Sequence, residues 1–184
     1  ARYLGPSFAL HGGGSDLIFP HHECEIAQAE NATGVEPFVR HWMHVAMVEY
    51  QGEKMSKSLG NLVLVSNELE RYSPDAFRLY LFSHHYRTPW EYVDGEMDDW
   101  QAIASDLAMA SRVPSGSDDN PLDVGRAYAA FCFAMDDDLN TPDAIRAFVD
   151  LGEAIRRHAP NGNVTAAQAT LRDMGNVLGV RFLA

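Results

Sequence analysis

The chain has 184 residues, 46 % hydrophobic and 22 % charged, with a net charge of −12. That length holds one ordinary domain or two small ones with a real core, and the acidic balance argues against strong nonspecific nucleic-acid binding while leaving room for a local basic patch. No apolar run approaches the roughly 20 residues that span a bilayer. The start, "ARYLGPSFAL", lacks a basic segment and a long apolar stretch, so no secretory signal is expected. Two cysteines, Cys24 and Cys132, make no disulfide framework, and a reducing, cytoplasmic setting is the expectation.

In chain order, residues 7–10 read as a short strand that runs into a glycine loop, "HGGGSD". After Pro20, "HHECEIAQAENATG" reads as a helix, with Gly34 as its stop. Residues 41–50 are apolar and β-branched enough for a buried strand, and "LVLVS" at 62–66 reads as a further extended run. Between them lies "GEKMSKSLGN", residues 52–61, which holds both lysines of the chain, Lys54 and Lys57.

From residue 66 the pattern turns helical. Ser73, Pro74 and Asp75 supply a cap, a proline at the first helical position and a first-turn acid. A longer helix carries Met97, Trp100, Ile103, Leu107 and Ala110 at helical spacing. "PSGSDDNP" at 114–121 reads as a linker. A third long helix follows, with Cys132 as a core residue. Thr141, Pro142 and Asp143 open a fourth, and "DDDLN" at 136–140 is the turn before it. Thr165 and Gln168 form a capping box for the last helix, which ends near Gly175 or Gly179. The expected fold is an α/β segment over residues 1–65 followed by an all-helical bundle over 66–184.

The lysine loop suits phosphate binding. Each ammonium is a mobile point charge with three donors, and serine hydroxyls and loop amides add neutral ones. Composition alone fits a solvated surface turn equally well. The glycine run, taken alone, reads as a plain turn. His21 and Glu25 stand four apart, on one helical face, a spacing that suits two ligands of one zinc ion. Cys24 lies three residues from His21 and is a further candidate ligand. Arg71, Arg78, His84, His85 and Arg87 form the densest other positive cluster and read as a solvated face. Trp90, Tyr92 and Trp100 read as packing residues.

"KMSKS" at residues 54–58 resembles the signature loop of class I aminoacyl-tRNA synthetases. "HGGGSDLIFPHHECEIAQAE", "SPDAFRLYLFSHHYRTPWEY" and "MDDDLNTPDAI" are similar to successive segments of the cysteinyl-tRNA synthetase family, in that family's order. The resemblance implies a partial Rossmann-like nucleotide fold, ATP-dependent activation of cysteine and transfer of cysteinyl to tRNA. It implies that His11, Gly12, Gly13, Gly14 and Asp16 lie against the adenosine and ribose of ATP. It places Lys54, Met55, Ser56, Lys57 and Ser58 at the phosphates, with the two lysines catalytic and magnesium accompanying ATP. It implies zinc at His21 and Glu25, whose family partners are two upstream cysteines. The tRNA acceptor end is the implied macromolecular partner.

The chain also departs from the family. No His-x-Gly-His element occurs, and Ala9 stands where the family has an acid. The matching segments leave out the upstream half of the nucleotide fold and the anticodon-recognition tail. The chain is therefore read either as a fragment or as a naturally truncated paralogue that dimerises, pairs with another chain or remodels its first third. Alone it is expected to lack adenylation activity. Two alternatives stay open: a non-catalytic paralogue binding ATP, tRNA or a partner protein, and part of the related cysteine ligase of mycothiol biosynthesis.

Overall fold

In the computed structural model, which describes residues 3–56, 59–116 and 118–183 (Asp118 and Asp119 by backbone only), the chain divides into two units. One comprises Ala1–Leu62 with Tyr86–Tyr92, the other Val63–His85 with Val93–Ala184. Both α and β structure are present, the sheets small and the helices several.

The first unit starts with β1, Phe8–Gly14. The three glycines were expected in a loop; they continue the strand instead. They do so because β2, Val39–Val45, pairs with them in parallel, with Gly12 opposite Met43, Gly13 opposite His44 and Gly14 opposite Val45. Parallel strands need a crossover. Here it consists of a 3₁₀ turn, a turn of π type ending at His22, and α1, Glu23–Thr33. Gly34 ends α1 in the left-handed region at φ 69°, its amide donating to the Glu30 carbonyl at 2.8 Å. Glu30 also accepts from the Phe38 amide at 2.9 Å, fixing the return into β2.

The strand expected over 41–50 is two strands. It breaks after Val45, where the Ala46 amide donates to the Tyr86 carbonyl, and resumes as β3, Val48–Tyr50. β3 pairs antiparallel with β4, Glu53–Lys54, and parallel with β5, Trp90–Glu91. Gln51 and Gly52 both have positive φ, 57° and 77°, as a two-residue hairpin turn requires.

The second unit is helical. "LVLVS" forms no strand: the chain is irregular up to Leu64 and then enters α2, Val65–Glu68. α3 spans Pro74–Phe82, with the Ser73 hydroxyl accepting from the Ala76 amide as expected. α4 spans Glu96–Ala110, α5 Gly125–Asp136, α6 Thr141–His158 and α7 Thr165–Leu178. The cap of α6 is Asn140 rather than Thr141, its side chain accepting from the Asp143 amide. The linker expected over 114–121 contains β6, Asp118–Pro121, paired with β7, Gly162–Asn163. Cys132 is half-buried, beside buried Phe131 and well-exposed Phe133.

The capping box at Thr165 does not form. Gln168 turns inward and its amide donates to the carbonyls of Ala110 and Val113 at 3.0 and 2.8 Å. It thereby satisfies carbonyls that the end of α4 leaves unpaired, a use that outranks capping its own helix. The core gathers Tyr80, Met97, Leu107, Phe148, Leu151, Ile155, Leu171 and Met174, all nearly inaccessible. Burial pushes the Tyr80 phenol up to about 12. Gly152 lets α4 approach α6: a Cβ there would lie 2.7 Å from a Leu107 methyl.

The C-terminal strap is held by one carboxylate. Asp75, 2 % exposed, accepts from the Arg181 amide at 2.9 Å and from the Leu183 amide at 2.8 Å. Asp75→Ala leaves two backbone amides without their charged acceptor and is expected to lower stability by about 2–4 kcal/mol, measured by urea unfolding.

Candidate functional site

The candidate site lies in the first unit, on the segment after β1 and in the loop after β4. Asp16 sits in the 3₁₀ turn directly after the glycine strand. The Lys54 ammonium, at the end of β4, lies 2.6 Å from its Oδ2. Two predicted nucleotide-binding side chains, 38 positions apart, thus meet. Both are about half exposed. The hydrogen bond from Lys54 holds the Asp16 carboxyl below its ordinary value, outweighing partial desolvation. Gly14 makes room for this acid, since a Cβ there would stand 2.5 Å from Asp16 Oδ1.

The lysine loop is tied at its ends by a side chain that the sequence reading missed. Asn61 Oδ1 accepts from the Ser56 amide at 2.9 Å, and its Nδ2 donates to the Lys54 carbonyl at 3.3 Å. The Met55 amide donates to the Val48 carbonyl, and Ser56 Oγ accepts from the Leu59 amide. Lys57 and Ser58 lie outside the described residues. The signal for Asn61 was local: asparagine commonly hydrogen-bonds nearby backbone in turns.

A second cluster forms around Glu25. His21 Nε2 is 3.2 Å from Glu25 Oε1, and His11 Nε2 is 3.6 Å from Oε2. His11, expected at adenosine, therefore stands beside the residue expected to hold metal. Ligand atoms of His11, His22 and Glu25 lie within 4.8 Å of one another. Among the described residues, His11 Nδ1 and Glu25 Oε2 are buried without a hydrogen-bond partner. Cys24 is exposed and is not in this trio.

His22 is 3 % exposed and was not anticipated. Its Nδ1 lies 2.8 Å from His44 Nε2. Burial, with the neighbouring His11 and His44, depresses its pKa, which favours the neutral ring. Gly13 is the space it occupies, because a Cβ on Gly13 would fall 2.7 Å from His22 Cε1. Gly12 meets no such demand: its Cβ would find a carbonyl at 3.6 Å. Trp42 underlies the cluster, stacked with His11 at 4.8 Å and 18° and with His44 at 5.9 Å and 4°.

The profile described as tRNA synthetases class I (C) catalytic domain matches residues 1–102, and the DALR domain matches residues 130–183. The chain belongs to this class I tRNA synthetase family. A cysteine–tRNA ligase of Methylococcus capsulatus is 46 % identical over 97 % of the chain and 39 % of its own length. One from Dehalococcoides mccartyi is 40 % identical over 99 % of the chain and 40 % of its own length. The chain thus spans about two-fifths of the length of these curated relatives.

Among solved structures, the leucyl-tRNA synthetase of Agrobacterium radiobacter K84, in a ternary complex with tRNA, shares the fold. Its TM-score is 0.69 at 17 % identity, over 95 % of this chain and 25 % of that one. Mycobacterium tuberculosis methionyl-tRNA synthetase with methionyl-adenylate aligns with TM-score 0.55 at 22 % identity, over 92 % of this chain and 38 % of that one. Among the described residues, no helix is long and apolar enough to cross a membrane.

Lys54→Met removes the cation that stabilises ionised Asp16. The Asp16 carboxyl is then expected to titrate higher, toward the ordinary carboxylate value, as read by carboxyl-carbon NMR. In the unsubstituted chain the pair is complete at neutral pH and is lost as pH falls through the lowered Asp16 value.

Proposed function

We propose that this chain forms the signature-loop side of a site that activates cysteine with ATP for transfer to tRNA. The observation that carries the reading is the meeting of Asp16 and Lys54 at the end of the glycine strand. Asp16 offers a carboxylate for ribose hydroxyls; of Gly12, Gly13 and Gly14, expected at the adenosine, Gly13 and Gly14 give their side-chain space to His22 and Asp16, and Gly12 does not. The parallel β1–α1–β2 unit supports the reading of residues 1–65 as part of a Rossmann-like nucleotide fold, with residues 66–184 as connecting helices and bundle.

In the proposed step the cysteine carboxylate attacks the α-phosphorus of ATP. The bond to the bridging oxygen breaks and pyrophosphate leaves with its electron pair. Lys54 and Lys57, with magnesium, offset the charge that grows on the departing phosphates. Met55, Ser56 and Ser58 belong to the same sequence segment. A ribose hydroxyl at the acceptor end of tRNA then attacks the cysteinyl carbonyl and gives up its proton; the ester bond forms, the carbonyl–phosphate bond breaks and AMP leaves.

The Glu25 cluster fits a zinc ion by its chemistry: imidazole nitrogens, a carboxylate, and two buried polar atoms without a partner. Glu25 is the shared donor. The resemblance adds His21 and two upstream cysteines to Glu25, whereas the geometry gathers His11 and His22 beside it. When bound, zinc supplies a Lewis-acidic position for a substrate thiolate. The protein's own residues flank that position: Glu25 Oε1 lies 3.2 Å from His21 Nε2, and Glu25 Oε2 lies 3.6 Å from His11 Nε2.

Two measurements test the reading. Titration calorimetry with magnesium-ATP is expected to show weaker binding for Lys54→Ala and Lys57→Ala, by about 10- to 100-fold, as loss of a charge-assisted contact predicts. Unchanged affinity in both would remove the loop from the phosphates. Protein purified without added zinc is expected to carry the metal and Glu25→Gln to lose it; metal-free unsubstituted protein refutes the zinc assignment.

A further inference from the structure

Helix α5 carries its terminal charges the wrong way round. Arg126 stands in its first turn, and Asp137 directly follows its last residue. A helix dipole favours an anion at the N-terminus and a cation at the C-terminus, so neither charge is stabilised by its own helix. The neighbouring α6 is the contrast, with Asp143 in its first turn and Arg156 and Arg157 in its last. Nearby side chains do not compensate α5 either. Arg146 pairs with Asp143 at 2.9 Å, and Asp123 accepts from the Gly125 amide at 2.9 Å. Among the described residues, no ion pair engages Arg126 or Asp137.

These two charges close a stripe. Arg126, Ala130, Phe133 and Asp137 are all exposed and share one helical face. Phe133, in the helix interior, is 74 % exposed. Beside the stripe, α5 and α6 leave a groove of about 810 Å³, floored by Ala134, Ala147, Leu151 and Ala154. The stripe's spacing reads the same from either end, while its chemistry inverts: base, alanine, phenylalanine, acid. Such a helix is complementary to a copy of itself run backwards, with base facing acid and the large ring facing the small methyl.

We propose that a second copy of this chain covers this face, with α5 packed antiparallel on α5 about a two-fold axis between Phe131 and Cys132. Arg126 then meets Asp137 of the second copy, and the symmetry repeats the contact. Phe133 lies over Ala130 of the second copy, toward the groove beside it. Antiparallel packing also sets Arg126 against a helix C-terminus and Asp137 against an N-terminus, the placements that the dipoles favour. A chain of net charge −12 repels its copies in general, so association needs a locally complementary face of this kind. The contact is one helical hairpin wide and small among specific interfaces, so the dimer is reversible. It is independent of the nucleotide and metal readings.

The test is sedimentation velocity on the full chain over a concentration series. The unsubstituted chain is expected to dimerise reversibly. Arg126→Glu alone, or Asp137→Arg alone, sets like charges together at both symmetric contacts and should weaken the dimer about 10- to 100-fold. Each substitution gives α5 the charge that its dipole favours, so helicity, read by circular dichroism, is expected to be kept. Mixing the two variants should restore a dimer as tight as the unsubstituted one. In that heterodimer every contact between positions 126 and 137 again joins opposite charges.

A chain that stays monomeric up to about 1 mM overturns the proposal and leaves the face to a different partner. A dimer that both charge reversals leave intact also overturns it, since the contact then lies elsewhere. Failure of the mixture to recover the dimer rules out the antiparallel register. Should a charge reversal prevent folding, Phe133→Ser takes its place: it removes an exposed ring that the fold does not bury, and an undiminished dimer refutes the proposal.

Discussion

Because β1 and β2 pair in parallel with Gly13 opposite His44, a backbone hydrogen-bond pattern sets the positions of most site side chains. The pairing carries the glycines as strand, so they stand as a fixed surface rather than a loop. On that surface the missing side chains of Gly13 and Gly14 are filled by His22 and Asp16 respectively. One strand end thus hosts both the Asp16 carboxylate and the His22 imidazole. A one-residue slip would move Trp42 and His44 to the opposite face, and the grouping of His11, His22 and His44 would come apart.

The two units hold together by different means. The helical unit has an ordinary apolar core, with α4 packed close to α6 at Gly152 and its last carbonyls capped from α7. The site unit buries little: Phe38, Val39 and Tyr92 are its well-covered apolar residues, while Leu10, Phe19, Val45 and Leu59 are exposed. Parallel sheets ordinarily bury both faces. Its geometry therefore depends more on local hydrogen bonds, such as Glu30 to Phe38 and Asn61 to the lysine loop, than on apolar burial.

What the sequence made legible follows from the range of each interaction. The Ser73 cap and the Gly34 stop depend on neighbours a few residues away, and the structure places them as expected. Gln168 and the glycine strand were misread for the opposite reason. Gln168 had a local role available at Thr165, but carbonyls 55 and 58 positions away needed its amide more. The glycines looked like a turn until a partner strand, some 30 positions on, paired with them. In the site, His21 and Glu25 were visible as an i,i+4 pair. His22 was hidden beside His21, because only the register with His44 distinguishes the two.

The Asp16–Lys54 pair gives the site a further property. Both groups face water, so their attraction is screened and weak. Its strength is less important than its direction. A free lysine on a serine-rich loop samples many rotamers, and binding would have to order it. Held against Asp16, the ammonium already stands at the end of the glycine strand. On the proposed nucleotide reading, a polyphosphate, with more negative charge than one carboxylate, would draw the lysine away and free Asp16 to accept from hydroxyl donors, so that each group is held near its place by a partner the nucleotide would displace.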